Sequence, residues 1–382
     1  MLNKIYKFYL YILGLTDKFE LRCKKFFFSG RFFTTNSKIR RQSLELLNIN
    51  TAKLALLIEK YYHGYSNYTR GNRMIMHRNL AEIESCFLEF SKSTQLNAND
   101  ILAKFGIRFN QDEINRLMFL KKISLFLKPG SKLVYEAGVA FGQLLQPEDA
   151  IKTYDCNQIC TLYLHLYCLE YDANDLRIKL PKDHVCLHFK GIDIEATNGE
   201  FLIDNETTKT FPITELLAVN LLDVSDLNYH TTPISPKAFY KMMSFAKRIS
   251  QNPVIEYNMQ TAYKKMSLFY IHKSAPKNAL FFIEKIIDKN VRLEFIRQIS
   301  DLYLQKNKFK KSLYYANIAH NSGQTKHIYT QMYNKLVVEL KNVKTISDAK
   351  RHKATYKRML KIARKLKDNN LINNIKDTLS KL

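Results

Sequence analysis

Apolar residues recur at helical spacing along most of the chain, as at Leu46, Leu54, Leu57 and Ile58 and again at Ile83, Cys86 and Phe87. This predicts helices over residues 1–98 and again over 100–145, with a break at Pro129-Gly130. Between 176 and 203 the period shortens to two. Arg177-Ile-Lys-Leu180, Val185-Cys-Leu-His-Phe189 and Ile192-Asp-Ile-Glu-Ala-Thr197 alternate apolar and polar, as strands with one buried face do. Lys190-Gly191 supplies a tight hairpin turn between the last two. Residues 203–236, with Pro233 and Pro236, read as a long loop with short helical pieces, and helices resume from 237 to the end. The predicted class is α+β: mostly helical, with a small antiparallel sheet in the middle. Three regions follow: an N-terminal helical region over 1–98, a core over 99–236 and a helical array over 237–382. Asn97-Ala-Asn-Asp100 marks the first boundary as a helix cap.

The helical array contains a repeat. Lys265–Phe282 aligns with Gln298–Tyr315 at an offset of 33, matching Met266 to Ile299, Tyr270 to Tyr303, Ala279 to Ser312 and Leu280 to Leu313. The small residue at 279 and 312 lets a second helix approach the first. The period resembles that of tetratricopeptide repeats, about 34 residues, which stack helix pairs into a grooved surface. That resemblance implies either partner binding or a structural brace. Residues 341–382 carry thirteen Lys or Arg against three Asp, with Tyr356, Met359, Leu360, Ile362 and Leu366 on an apolar face. They read as a solvated basic helix capping the repeats, with nucleic-acid contact as the sharper alternative.

Charge changes this picture less than its size suggests. The 382 residues carry 60 basic and 35 acidic side chains, a net charge of +25. Such a surface can attract nucleic acid or an anionic membrane. The Lys residues are nevertheless spread out, and heavy use of Lys, Asn, Ile, Phe and Tyr fits a coding bias. Residues 18–41 mix Lys and Arg with Phe19, Phe26, Phe27, Phe28, Phe32 and Phe33, which is either a membrane or partner patch or simply core. Six irregularly spaced cysteines in a chain of this length argue against a disulfide framework and for a reducing compartment. Residues 1–15 lack the cleavage site of a signal peptide, and no run reaches the ~18 apolar residues of a membrane span. The expected location is cytoplasmic.

Chemistry concentrates in one stretch. Asp155 can cap a helix beginning at Cys156, on which positions 156, 159, 160, 163 and 167 share an apolar face. A thiol in the first turn sits where the helix dipole favours thiolate, the competent nucleophile. His184 opens a strand after Pro181-Lys-Asp. A turn at Lys190-Gly191 pairs Phe189 with Ile192, His188 with Asp193, Leu187 with Ile194 and Cys186 with Glu195. His184, Cys186 and His188 then share a face with Asp193, Glu195 and Thr197. Glu195 lies diagonal to His184 and is the favoured orienting carboxylate, with Asp193 as the alternative third member. Cys160, Cys168 and Cys186 read as inert buried thiols. A zinc site from Cys156, Cys160, His165 and His184 is disfavoured, because 156 and 160 are neighbours on one helix and His165 points to another face.

At these residues the chain resembles the bacterial transglutaminase-like (papain-like cysteine) superfamily, in the branch with C-terminal tetratricopeptide repeats. Similarity covers about residues 100–205. Cys156-Asn-Gln-Ile-Cys-Thr-Leu-Tyr-Leu is similar to the family's nucleophile helix, Leu180-Pro-Lys-Asp-His184 to its histidine strand, and Glu195-Ala-Thr197 to its acidic motif. The resemblance implies that Cys156 is the nucleophile of a Cys156–His184–Glu195 triad. Members commonly place Gly two residues before the cysteine, where this chain has Tyr154. The family's oxyanion partner is often an upstream side chain, for which Gln143 or Gln146 can serve.

The function expected is that of a cysteine peptidase or amidase. Cys156 attacks an amide carbonyl, its N–H and a second donor hold the oxyanion, and His184 protonates the leaving amine. No metal or organic cofactor is required. The partner is a protein or peptide substrate, recruited by the repeats. The alternative is a catalytically silent scaffold on the same fold, motivated by Tyr154 and the helical array.

Overall fold

Asn50 shows how local chemistry shapes the long N-terminal helix. In the computed structural model the helix Asn36–Ile58 is kinked there, with Asn50 extended (φ −169°, ψ 92°) and its Oδ1 accepting the Lys53 N–H at 2.8 Å. The side chain therefore caps the second half of the helix as an N-cap would. The structure describes residues 2–29, 35–99, 103–130, 132–147, 149–181, 184–203, 209–222, 235–252 and 254–382. Of the residues read above, Phe32, Phe33, Asp100, Lys182, Asp183 and Pro233 lie outside that set.

The chain divides into two compact units, residues 1–259 and 260–382. In the first, helices Leu2–Ile12, Lys18–Ser29, Asn36–Ile58, Arg70–Ser93 and Gln111–Phe126 precede the sheet region. The predicted N-terminal region and core thus share one unit. So does helix Pro236–Ile249, read from sequence as part of the array. Ser235 caps it, Pro236 starts it, and its Phe239, Met242, Met243, Phe245, Ala246 and Ile249 are buried. Phe245 packs edge-on to Phe26 and Phe27 and stacks on Tyr62. Phe26 and Phe27 are therefore core, as such phenylalanines usually are, while Phe28 is exposed.

The main sheet is antiparallel, with strand order β6-β5-β4-β3-β7. Its strands are β3 (Arg177–Lys179), β4 (Cys186–Phe189), β5 (Ile192–Glu195), β6 (Glu200–Ile203) and β7 (Thr210–Pro212). Leu187 pairs with Ile194, His188 with Asp193 and Phe189 with Ile192, the register expected from the turn. Lys190 (φ 48°) and Gly191 (φ 87°) are both left-handed, as a two-residue hairpin of the right twist requires. In a separate parallel pair, β1 (Leu133–Tyr135) with β2 (Lys152–Tyr154), β1 lies where helix was expected. Strand β6 closes the stretch expected to be strands, and β7 lies in the region expected to be loop. The described part of that region also holds the helix Glu215–Leu222.

The second unit is helical. Its two matched segments agree at five positions 33 residues apart. Tyr270 stacks on Phe282 and Tyr303 on Tyr315, at 5.8 and 5.5 Å between centroids. Ser274 and Asn307 are both left-handed where the chain turns between paired helices. The small residues pack as anticipated: Ser300 and Ser312 exchange hydroxyl-to-carbonyl bonds at 2.8 and 2.9 Å, and their counterparts Ser267 and Ala279 are fully buried. Helix Lys353–Leu366 buries Met359, Ile362 and Ala363 against Leu336 and Ile375 and leaves its basic residues outward. Among the described residues, no helix is long and apolar enough to cross a membrane.

Candidate active site

Helix Cys156–Tyr167 starts where its sequence demands. Asp155 accepts the Gln158 N–H, and the Gln158 side chain accepts the Asp155 N–H in return, closing a capping box. Cys156 is the first helical residue, so its own N–H has no intrahelical acceptor and faces outward at the positive end of the helix. The helix beyond it is not buried on one face alone. Every residue from Asn157 to Tyr167 is buried, because the sheet, helix Asn36–Ile58 and helix Gln111–Phe126 surround it. Cys156 is only half-buried.

Across from the thiol stands His184. Its Nε2 is 2.7 Å from Glu195 Oε2, and the Cys156 side chain is the largest single influence on its ring. With Nε2 engaged by the carboxylate, Nδ1 is the nitrogen left for the sulfur. Thr197 holds the far oxygen of Glu195 through its hydroxyl (2.5 Å) and its backbone N–H (3.3 Å). The three predicted members therefore form one continuous chain of contacts. The His184 side chain remains 29% exposed, so the chain of contacts opens to solvent.

The electrostatics follow from those contacts. The Cys156 side chain, then Glu195, hold the proton on His184 and raise its pKa from 6.5 to about 10 against the cost of burial. Burial pushes the Glu195 carboxyl up, but bonds from His184 and Thr197 more than reverse this and leave it below its ordinary value of 4.5. A sign follows for stability. A raised histidine stabilises the fold fully below pH 6.5, and that contribution is lost as pH climbs from 6.5 to about 10. The depressed Glu195 contributes above 4.5 and loses its contribution on acidification. The thermal midpoint of the wild type should thus exceed that of His184→Gln most near pH 5 to 6, and the gap should close as pH rises toward about 10. A gap constant over that range would refute the ion-paired arrangement.

The alternative third member is engaged elsewhere. Asp193 binds His188 Nδ1 at 2.7 Å and Lys179 Nζ at 2.9 Å, one register position along the sheet. Gly191 donates its N–H to the other nitrogen of His188. This second cluster neutralises a buried lysine. Among the described residues no hydrogen bond joins either Gln143 or Gln146 to Cys156. Gln146 donates its amide to the Gly142 carbonyl, and Gln143 sits half-buried in the turn Phe141–Leu145. Tyr135 on β1 is the group that sequence reasoning missed. Burial raises its pKa, and the charges of Cys156, Asp155 and Glu195 raise it further, so the phenol keeps its proton. No signal marked it, because β1 has only three residues.

Tyr154, the departure from the small residue expected before the cysteine, has a structural task. Its ring is buried and packs edge-on against Tyr135 at 5.9 Å, and its hydroxyl donates to the Thr197 carbonyl at 2.8 Å. It thereby ties the strand entering Cys156 to the loop that holds Glu195. The N-terminal helices brace the same region from behind. Glu59 accepts the Phe141 N–H and the Tyr68 hydroxyl (2.6 Å), Tyr68 accepts the Gly142 N–H, and Asn79 binds the Leu145 carbonyl.

The other cysteines of this stretch are shielded. Burial raises the Cys160 thiol well above its ordinary value, and pushes Cys168 and Cys186 up to about 12. Cys160 Sγ donates to the Val185 carbonyl. His165 Nε2 contacts Glu84. Among the described residues no group of three or more potential metal ligands is found. Comparison of the chain with family models, with curated proteins and with solved structures gave no match.

Proposed function

We propose that this chain is a cysteine hydrolase or acyltransferase with a transglutaminase-like core, acting on an amide of a protein or peptide. The observation that carries the reading is the hydrogen-bonded run Thr197–Glu195–His184, whose ring is influenced most by the half-buried Cys156 thiol at a capped helix N-terminus. In the proposed reaction the proton already rests on His184, and the Cys156 sulfur beside it attacks the carbonyl carbon as thiolate. The oxygen takes the displaced electron pair and is held by the Cys156 N–H and the Tyr135 hydroxyl. His184 returns the proton to the leaving nitrogen as the C–N bond breaks, giving a thioester. Water attacks that thioester, losing a proton to His184, and frees an acid and the thiolate, restoring the starting pair. An amine in place of water gives transfer. Glu195 keeps the imidazole oriented throughout. The helix pairs of residues 260–382 are read as tetratricopeptide-like and as the surface that recruits the substrate.

An activated ester tests the first half. On mixing with p-nitrophenyl acetate, the protein should release a burst of nitrophenol and carry the acetyl group on Cys156, detected by peptide mass spectrometry. Cys156→Ala should abolish the burst. Tyr135→Phe should slow it about 10- to 100-fold without changing the fold. A burst that survives Cys156→Ala, or acetylation spread evenly over Cys156 and the exposed Cys86, would defeat the reading.

A further inference from the structure

The helix Leu2–Ile12 has no sheltered face to spare. Leu10 is buried against the body of the first unit. On the outward side Ile5, Phe8, Tyr9 and Ile12 stand at i, i+3, i+4 and i+7, a single stripe, and each is between 49% and 65% exposed. Tyr11 beside them is exposed as well. Isolated apolar residues at a surface are ordinary, but a contiguous stripe marks a binding face.

Its surroundings specify the partner. Residues 2–12 contain no acidic residue, and Lys7 is exposed within the stripe's flank. Lys18 Nζ lies 5.3 Å over the Tyr6 ring, and the Arg70 guanidinium 5.2 Å over the Tyr11 ring, so cations border the aromatic residues. The nearest carboxylates in sequence are already engaged, Asp17 by Lys53 and Glu20 by Arg73. Aliphatic and aromatic residues rimmed by lysine and arginine form the arrangement that lies in the plane of a lipid interface, aromatic rings at headgroup depth and cations against anionic heads. The helix is too short and too basic to span a bilayer. It is also held firmly at its end: Arg73 donates to the Gly14 carbonyl at 2.8 Å and Arg70 to the Leu15 carbonyl at 2.9 Å. The stripe is thus presented by a fixed turn.

We propose that the outer face of helix Leu2–Ile12 docks the protein peripherally on an anionic membrane surface, through Ile5, Phe8, Tyr9 and Ile12, with Lys7, Lys18 and Arg70 facing the headgroups. This inference is independent of the chemistry proposed for Cys156.

Flotation of the full chain with vesicles of equal parts phosphatidylcholine and phosphatidylglycerol, against phosphatidylcholine alone, tests it. The chain should float with the anionic vesicles, less so as salt rises, and poorly with the neutral ones. The pair Phe8→Asp with Ile12→Asp should weaken partitioning by about tenfold or more, and Lys7→Glu by several-fold. Both alter exposed positions, and circular dichroism checks that the fold is kept. As a second readout, vesicles should slow backbone amide exchange in residues 5–12. Three outcomes would overturn the proposal. One is unchanged flotation of Phe8→Asp/Ile12→Asp. A second is equal binding to both vesicle types. The third is a concentration-dependent dimer, lost in that variant, with no vesicle binding, which would assign the stripe to a second copy of this chain.

Discussion

Iodoacetamide should alkylate Cys156 at least about 100-fold faster than Cys160 near neutral pH, and His184→Ala should remove most of that advantage. The difference follows from environment. Cys156 is half-buried, begins a helix and helps, with Glu195, to hold the proton on His184. Those are the features that favour the reactive thiolate and complete its activation. Cys160, one helical turn on, is fully buried, donates to the Val185 carbonyl and has a thiol raised well above its ordinary value. The exposed Cys86 supplies an internal standard for an ordinary accessible thiol. The rate ratio of Cys156 to Cys86 therefore separates activation from mere access. Glu195→Gln tests the outer member. The amide still offers the ring an oxygen but no charge, so the His184 pKa should fall and the ratio with it by about 10-fold. Asp193→Asn should leave the ratio unchanged, because Asp193 serves His188 and Lys179. Equal rates at Cys156 and Cys86, or a ratio untouched by His184→Ala, would remove the basis for an acyl-transferring enzyme.

The parts of this site that could be read in the sequence are those encoded by neighbours along the chain. The capping box needs only Asp155 and Gln158, and the hairpin register needs only alternation and a turn at Lys190-Gly191. Once the register is known, Glu195 falls beside His184 without further information. What escaped was either too short or too distant. β1 and β2 have three residues each, fewer than a period of two needs to declare itself, so Tyr135 stayed hidden within a stretch that reads as helix. β6 pairs Glu200 with Glu195 across a turn containing Gly199 (φ 76°), and the exposed β6 shows no clean alternation. The bracing of the turn Phe141–Leu145 by Glu59, Tyr68 and Asn79 spans 66 to 82 residues of sequence, beyond the reach of any local pattern. That distance also explains why residues 1–98 look like a domain of their own. Their apolar spacing shows helices, while the polar contacts that merge them with the core are single side chains.

Breaking the Glu20–Arg73 pair should cost more stability than any other single polar change in the first unit, about 3 to 5 kcal/mol. Both side chains are completely buried and meet in a two-pronged contact of 2.7 and 2.9 Å. Arg73 also donates to the Tyr68 and Gly14 carbonyls, and Glu20 accepts the Thr16 N–H. Burial pushes the Glu20 carboxyl up, yet the Arg73 bonds and charge bring it below its ordinary value. Arg73→Met would leave a carboxylate in the interior without its counter-charge, and Glu20→Gln would strand the guanidinium. Chemical denaturation should show the loss directly, as a lower midpoint at unchanged slope. Removing both charges together, as Glu20→Leu with Arg73→Met, should cost clearly less than the sum of the single changes, since neither charge is then left alone. Strict additivity would mean that the two groups do not stabilise each other. The same pair joins the two surfaces inferred above. Through Tyr68, whose hydroxyl bonds Glu59 and the Gly142 N–H, Arg73 reaches the brace behind Cys156; through Gly14 it reaches the end of the exposed helix. Arg73→Met should therefore loosen the membrane-facing turn as well as the fold. Amide exchange in residues 13–16 should quicken in that variant even under conditions where the rest of the unit stays folded.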